Sequence, residues 1–115
     1  MYKDTIDTQK GLAYMTGKKE IYIRIAGIFT KNVDTKIAEL RQYFDNGDFA
    51  RLTLEFHGMK SSSASIGSTL LPQIAQELEK AGKEGDTELI KEKFEAFIEQ
   101  FRDTCAAVDE AAALL

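Results

Sequence analysis

Residues 48–70 read DFARLTLEFHGMKSSSASIGSTL, and within them Leu52, Phe56, Met59, Ser63, Ile66 and Leu70 recur at alternating steps of four and three. That spacing returns a side chain to the same helical face once per turn, so the segment predicts an α-helix with one continuous buried stripe. Asp48 stands where its carboxylate can cap the first turn, and Gly67 with Ser68 stands where the helix should end.

Upstream, Asn46-Gly47 suits a helix C-terminus because glycine tolerates the left-handed backbone there. Before it, Tyr22, Ala26, Phe29, Val33, Ile37, Leu40 and Phe44 continue the three-and-four spacing, which predicts one long helix over about residues 18–45. The alternation inside Ile21–Ile25 is strand-like but too short to compete. A short helix near residues 5–15 precedes it. Downstream, Leu71, Ile74 and Leu78 mark a helix over about residues 69–81, with Pro72 early enough that its missing N–H costs little. Gly82 and Gly85 mark the next turn. Asp86 can cap a last helix whose Ile90, Phe94, Phe97, Phe101, Cys105 and Val108 again step by three and four toward the final alanines. Long amphipathic helices joined by short turns must alternate in direction. The expected fold is all-α: an antiparallel up-and-down four-helix bundle with a short additional N-terminal helix, residues 1–115 forming a single domain.

Composition bounds the function. The 115 residues are 43% hydrophobic and 30% charged, which fits a chain able to bury a core. Fifteen basic against nineteen acidic side chains give a net charge of −4, which disfavours nucleic acid as a partner. One cysteine excludes an internal disulfide, and one histidine with one cysteine cannot build a structural zinc site. Met1 to Asp7 lacks the apolar core of a signal peptide, and the most apolar stretch, Ile21 to Phe29, is interrupted by Arg24. No membrane insertion is expected, and a cytoplasmic, monomeric protein fits.

His57 is the only histidine. At about 100° per residue, with the buried stripe of its helix set at zero, it projects near 140°, and Lys60 near 80° on the same side. Thr53, Ser61, Ala64 and Ser68 around them are mostly small, so a partner protein could approach closely. Imidazole is a good nucleophile near neutral pH and its phosphoramidate can pass the phosphoryl group on. An ammonium beside it would offset the phosphoryl charge. A surface histidine with a lysine at helical spacing also arises by chance, and spacing alone leaves both open.

The segment His57-Gly58-Met59-Lys60-Ser61-Ser62-Ser63-Ala64-Ser65-Ile66-Gly67 resembles the histidine-phosphotransfer family pattern of His, any residue, a hydrophobic residue, Lys, Gly and two small residues, with a further Gly ten residues after the His. The resemblance extends to Leu78-Glu79 and Gly82-Lys83 downstream, and to Ile6-Asp7, Gly11-Leu12 and Gly17 upstream. It implies that His57 carries the phosphoryl group on its distal ring nitrogen and that Lys60 steadies it. It implies binding positions at Ser61, Ala64, Gly67, Glu79 and Lys83, with Glu79 able to fix the ring tautomer; a solvated helix face is the other possibility for Glu79 and Lys83. The partners implied are response-regulator receiver domains and a hybrid sensor kinase. No cofactor is implied for this chain, magnesium being expected in the receiver. Ser61 departs from the pattern, standing where the family has Gly.

Other chemistries fit less well. A metal-binding bundle needs Glu-x-x-His pairs on two helices. Gly11 to Lys18 is superficially like a phosphate-binding loop, but its glycines are one residue too far apart and Lys19 replaces the required Ser or Thr. An autonomous kinase has no room for a nucleotide-binding domain, so a carrier, not an enzyme, is expected. Cys105 lies on an apolar stripe and reads as a buried, unreactive thiol. The remaining alternative is a binding-only bundle that has lost phosphotransfer.

Overall fold

The computed structural model of the chain describes residues 4–14 and 17–115. Among them the structure is all-helical: α1 Thr8–Tyr14, α2 Lys19–Lys31, α3 Val33–Asp45, α4 Phe49–Ser65, α5 Leu71–Lys83 and α6 Thr87–Ala113. An isolated bridge pairs Ile6 with Ser68. Among the described residues no helix is long and apolar enough to cross a membrane.

Most residues of the expected stripes are buried, but Phe29, Val33, Phe44 and Ile74 are half-buried, and Leu70, expected on the stripe of α4, is half-buried at the start of α5. Leu52, Phe56, Met59, Ser63 and Ile66 are buried from α4 and its end, and Ile90, Phe94, Phe97, Phe101, Cys105 and Val108 from α6. The α6 phenylalanines collect rings from three other helices. Phe94 stacks on Phe44 of α3 at 4.3 Å, Phe97 meets Phe56 of α4 edge-on at 5.0 Å, and Phe101 meets Phe29 of α2 at 5.9 Å. Such offset and edge contacts add to the gain from burying aromatic area. Burial pushes the Cys105 thiol up to about 12, with Asp109 adding to the effect, so the thiolate is disfavoured.

The turns follow their expected chemistry, and four boundaries differ from expectation. Asp48 and Asp86 accept the backbone N–H of Arg51 and Leu89 at 3.1 and 3.2 Å, and Gly47 and Gly85 hold the left-handed backbone before them. The helix expected over residues 18–45 is broken at Asn32, whose backbone leaves the helical region. The run Thr30-Lys31-Asn32-Val33-Asp34-Thr35 is rich in β-branched and short polar side chains that weaken a helix. The break lets α2 pack on α6 while α3 packs on α4. The first helix starts at Thr8, not Thr5, because Asp7 caps it through the N–H of Lys10 at 3.0 Å; Met15, its expected end, lies outside the described residues. The fourth expected helix begins at Leu71 and runs on to Lys83, because Ser68 and Thr69 belong to a capped turn. Gly82 therefore lies inside α5 and marks no turn. A methyl group there would overlap the Thr53 hydroxyl, so glycine sets how closely α5 approaches α4.

The N-terminal segment is tied down by a buried carboxylate. Asp4 accepts from Thr69 N and Oγ1 at 3.1 and 3.0 Å, Leu70 N at 3.0 Å, Thr104 Oγ1 at 2.7 Å, and the Ser68 hydroxyl. It thereby joins the start of α5 to α6. Desolvation pushes its pKa up, but the hydroxyls of Ser68 and Thr104 and the N–H groups of Leu70 and Thr69 outweigh it, leaving the pKa below the ordinary value. A depressed carboxylate stabilises the fold above its unfolded pKa and loses that contribution as pH falls through the folded value. Asp4→Asn should cost about 2 kcal/mol at neutral pH. Chemical denaturation at a series of pH values should show the gap between variant and wild type closing below about pH 4, the ordinary carboxylate range.

Candidate functional site

Three lysine and histidine side chains converge on one buried carboxylate. Glu79 lies on the α5 face that packs against α4 and is only 3% exposed. A charge removed from water must be paired, and both of its oxygens are engaged. Oε1 accepts from Lys60 Nζ at 2.8 Å, and Oε2 lies 2.7 Å from His57 Nδ1 and 3.0 Å from Lys83 Nζ. His57 and Lys60 come from α4 at i and i+3, and Lys83 from the last turn of α5, four residues after Glu79. The hydrogen bonds of Lys60 and Lys83 hold the Glu79 carboxyl down to about 2, with His57 adding to them against a smaller opposing effect of burial.

The imidazole itself is open, with 62% of its side chain exposed. At neutral pH Glu79 is ionised and can only accept a hydrogen bond, so Nδ1 carries the ring proton and donates it. In the neutral ring Nε2 is left with a free lone pair. The arrangement therefore supplies a nucleophilic nitrogen, a carboxylate able to offset positive charge developing on the ring, and two ammonium groups within one turn. Lys60, Gln76, Glu79, Lys80 and Lys83 border a hollow of about 230 Å³ beside it.

The residues expected at the site divide by position. His57, Lys60, Glu79 and Lys83 are brought together. Ser61 is exposed and Ala64 half-buried, further along α4. Gly67 is elsewhere: it turns the chain after α4 with φ of 91°, buried where a side chain would strike the Asp7 backbone, and its carbonyl accepts from Asp7 N at 2.8 Å. Gln76 and Lys80 were not singled out from the sequence. Their positions three before and one after Glu79 were the available signal, but only the packing of α5 on α4 shows that this side of α5 borders the site. Among the described residues no group of three His, Cys, Asp or Glu side chains could hold a metal ion.

Truncating the carboxylate tests the tautomer directly. In Glu79→Ala the neutral ring should lose its fixed Nδ1–H form and exchange between tautomers, seen as converging ¹⁵N shifts of the two ring nitrogens; wild type should keep them well separated. With a folded pKa below its ordinary value, the Glu79 contribution to stability is complete above about pH 4.5 and disappears as pH falls toward 2.

Comparison with known proteins gives two results. The family model described as Hpt domain matches residues 24–111, well over half of the chain. Translation initiation factor IF-3 of Methylorubrum populi and of Methylobacterium radiotolerans is each 34% identical over 65 residues, covering 56% of this chain and 37% of the relative. IF-3 of Methylorubrum extorquens is 32% identical over the same length. The chain thus spans little more than a third of the length of these curated relatives. No solved structure matches.

Proposed function

The chain belongs to the Hpt domain family, phosphocarriers of phosphorelays that interact with receiver domains, and on that premise we propose that His57 is the residue that carries the phosphoryl group between receiver aspartates. The single observation that supports it most is the 2.7 Å contact between His57 Nδ1 and the buried, ionised Glu79, which leaves Nε2 as the nucleophile. In the forward step Nε2 donates its lone pair to phosphorus, the bond from phosphorus to the receiver's aspartyl oxygen breaks, and the carboxylate leaves. Positive charge arising on the ring is offset by Glu79, and Lys60 and Lys83 face the phosphoryl oxygens. The second transfer reverses these roles with another receiver. Magnesium is expected on the receiver side and none is needed in this chain.

The same proposal takes residues 1–115 as one domain, a monomeric cytoplasmic bundle in which α2 with α3, α4, α5 and α6 run up and down and α1 is the additional helix. A hybrid sensor kinase is the upstream source of the phosphoryl group. Ser61, exposed on α4, and Ala64 fall on the receiver-facing surface in this assignment. The likeness to IF-3 suggests no activity here, since it reaches 37% of those proteins and a net charge of −4 opposes nucleic-acid contact.

Incubation with a phosphorylated receiver should place an acid-labile, base-stable phosphate on the wild-type chain and none on His57→Gln, with helical content retained because the ring lies outside the core. Undiminished labelling of His57→Gln would defeat the assignment, and an unlabelled wild type would favour a binding-only bundle. Lys60→Ala should slow transfer without abolishing it. One lost charge-assisted contact is worth roughly 1.5 to 3 kcal/mol, so the single-turnover rate should fall by about one to two powers of ten.

A further inference from the structure

Two residues beside His57 have solvent-facing properties that the fold does not use. Leu54 lies one turn before it, and among the large apolar side chains of α4 it is the one turned to solvent, 65% exposed, while Leu52, Phe56 and Met59 are buried. Gly58 follows His57 directly in the helix interior, where glycine costs stability relative to alanine. Nothing in the chain requires it. Gly58 has no left-handed backbone, unlike Gly17, Gly47, Gly67 and Gly85, and a methyl group there would meet nothing within 4 Å, unlike one at Gly11, Gly67 or Gly82. Gly27 of α2 shares this freedom but adjoins no reactive side chain.

Both positions are continuous with the surface a receiver must cover. Along the α4 axis Leu54 is about 4.5 Å and Gly58 about 1.5 Å from His57. A partner burying the usual ~800 Å² per side cannot reach Nε2 without crossing them. The two are four residues apart and so share a face. Gly58 also follows Glu55, which pairs with Lys36 of α3, by one turn. The open lane therefore runs along the α3 flank of His57, away from the α5 flank where Glu79 holds Nδ1.

Resting on the phosphocarrier assignment above, we propose that Leu54 and Gly58 are specificity-determining residues of receiver docking. Leu54 supplies an apolar anchor that the receiver buries, and Gly58 supplies the clearance that lets the receiver backbone close on the imidazole. An anchor of this kind gains by losing exposed apolar area, and a glycine that admits close approach is retained against its helical cost.

The test separates docking from chemistry. A receiver selected for transfer to the wild-type chain is titrated in single-turnover assays, and phosphoramidate serves as a small donor that needs no docking: its N–P bond breaks, ammonia leaves, and Nε2 of His57 takes the phosphoryl group. Leu54→Ala and Gly58→Ala should each raise the half-saturating receiver concentration about tenfold, with phosphoramidate labelling as in wild type. Gly58→Ala should at the same time raise Tm by roughly 4 °C, the opposite sign from a glycine needed by the fold. Unchanged half-saturation in both variants, or a lower Tm for Gly58→Ala, would overturn the proposal while leaving the carrier assignment intact. If no phosphorylated receiver labels wild-type His57, the carrier assignment falls and this proposal with it.

Discussion

A carboxylate that is almost fully buried between two helices cannot remain ionised without partners, and the face shared by α4 and α5 is organised by that constraint. Glu79 gathers Lys60, Lys83 and the Nδ1 edge of His57, so one charge fixes side chains from both helices. Leaving such a charge buried and unpaired costs far more than the exchange of water for protein hydrogen bonds gains. The contact is possible only because α5 lies close to α4, and that closeness depends on Gly82 fitting over Thr53. A helix packing detail three residues from Glu79 thus reaches the tautomer of the ring.

The rest of the fold holds these two helices in place. The α6 phenylalanines receive one ring each from α2, α3 and α4, so the last helix serves as the common wall. The break at Asn32 lets α2 pack on α6 while α3 packs on α4 and still reaches α6 through Phe44. At the far end Tyr22 donates to the Ile66 carbonyl at 2.6 Å, under the ring-tight position of Gly11, and Asp4 caps the turn into α5. The N-terminal segment therefore fixes where α5 begins, and through it the height at which Glu79 meets α4.

Burial also sorts the nucleophiles. Cys105 and His57 are each the only residue of their kind, yet the thiol is buried in the core and pushed up to about 12, while the imidazole stands open with one nitrogen held and the other free. Reactivity follows surroundings more than residue type. The same contrast separates Gly58 from Gly67: both lie in the motif around His57, but one faces open space and the other is pressed against the Asp7 backbone.

The sequence by itself determined the helical periodicity, the Asp48 and Asp86 caps, the Gly47 and Gly85 turns, and the placing of His57 and Lys60 outside the core stripe, because each depends on neighbours within a few residues. It also carried the family pattern around His57, with Glu79 and Lys83 as open candidates. Tertiary structure decided what depends on distant partners. The break at Asn32 redirects the chain between the packing of α2 on α6 and that of α3 on α4, and the late start of α5 comes from an aspartate more than sixty residues upstream. Gly82 looked like a turn because glycine signals both bends and close approach, and only packing distinguishes them. Glu79 became the centre of the site, and not one more solvated glutamate, because the α4 and α5 faces meet there and exclude the water that would otherwise have satisfied it.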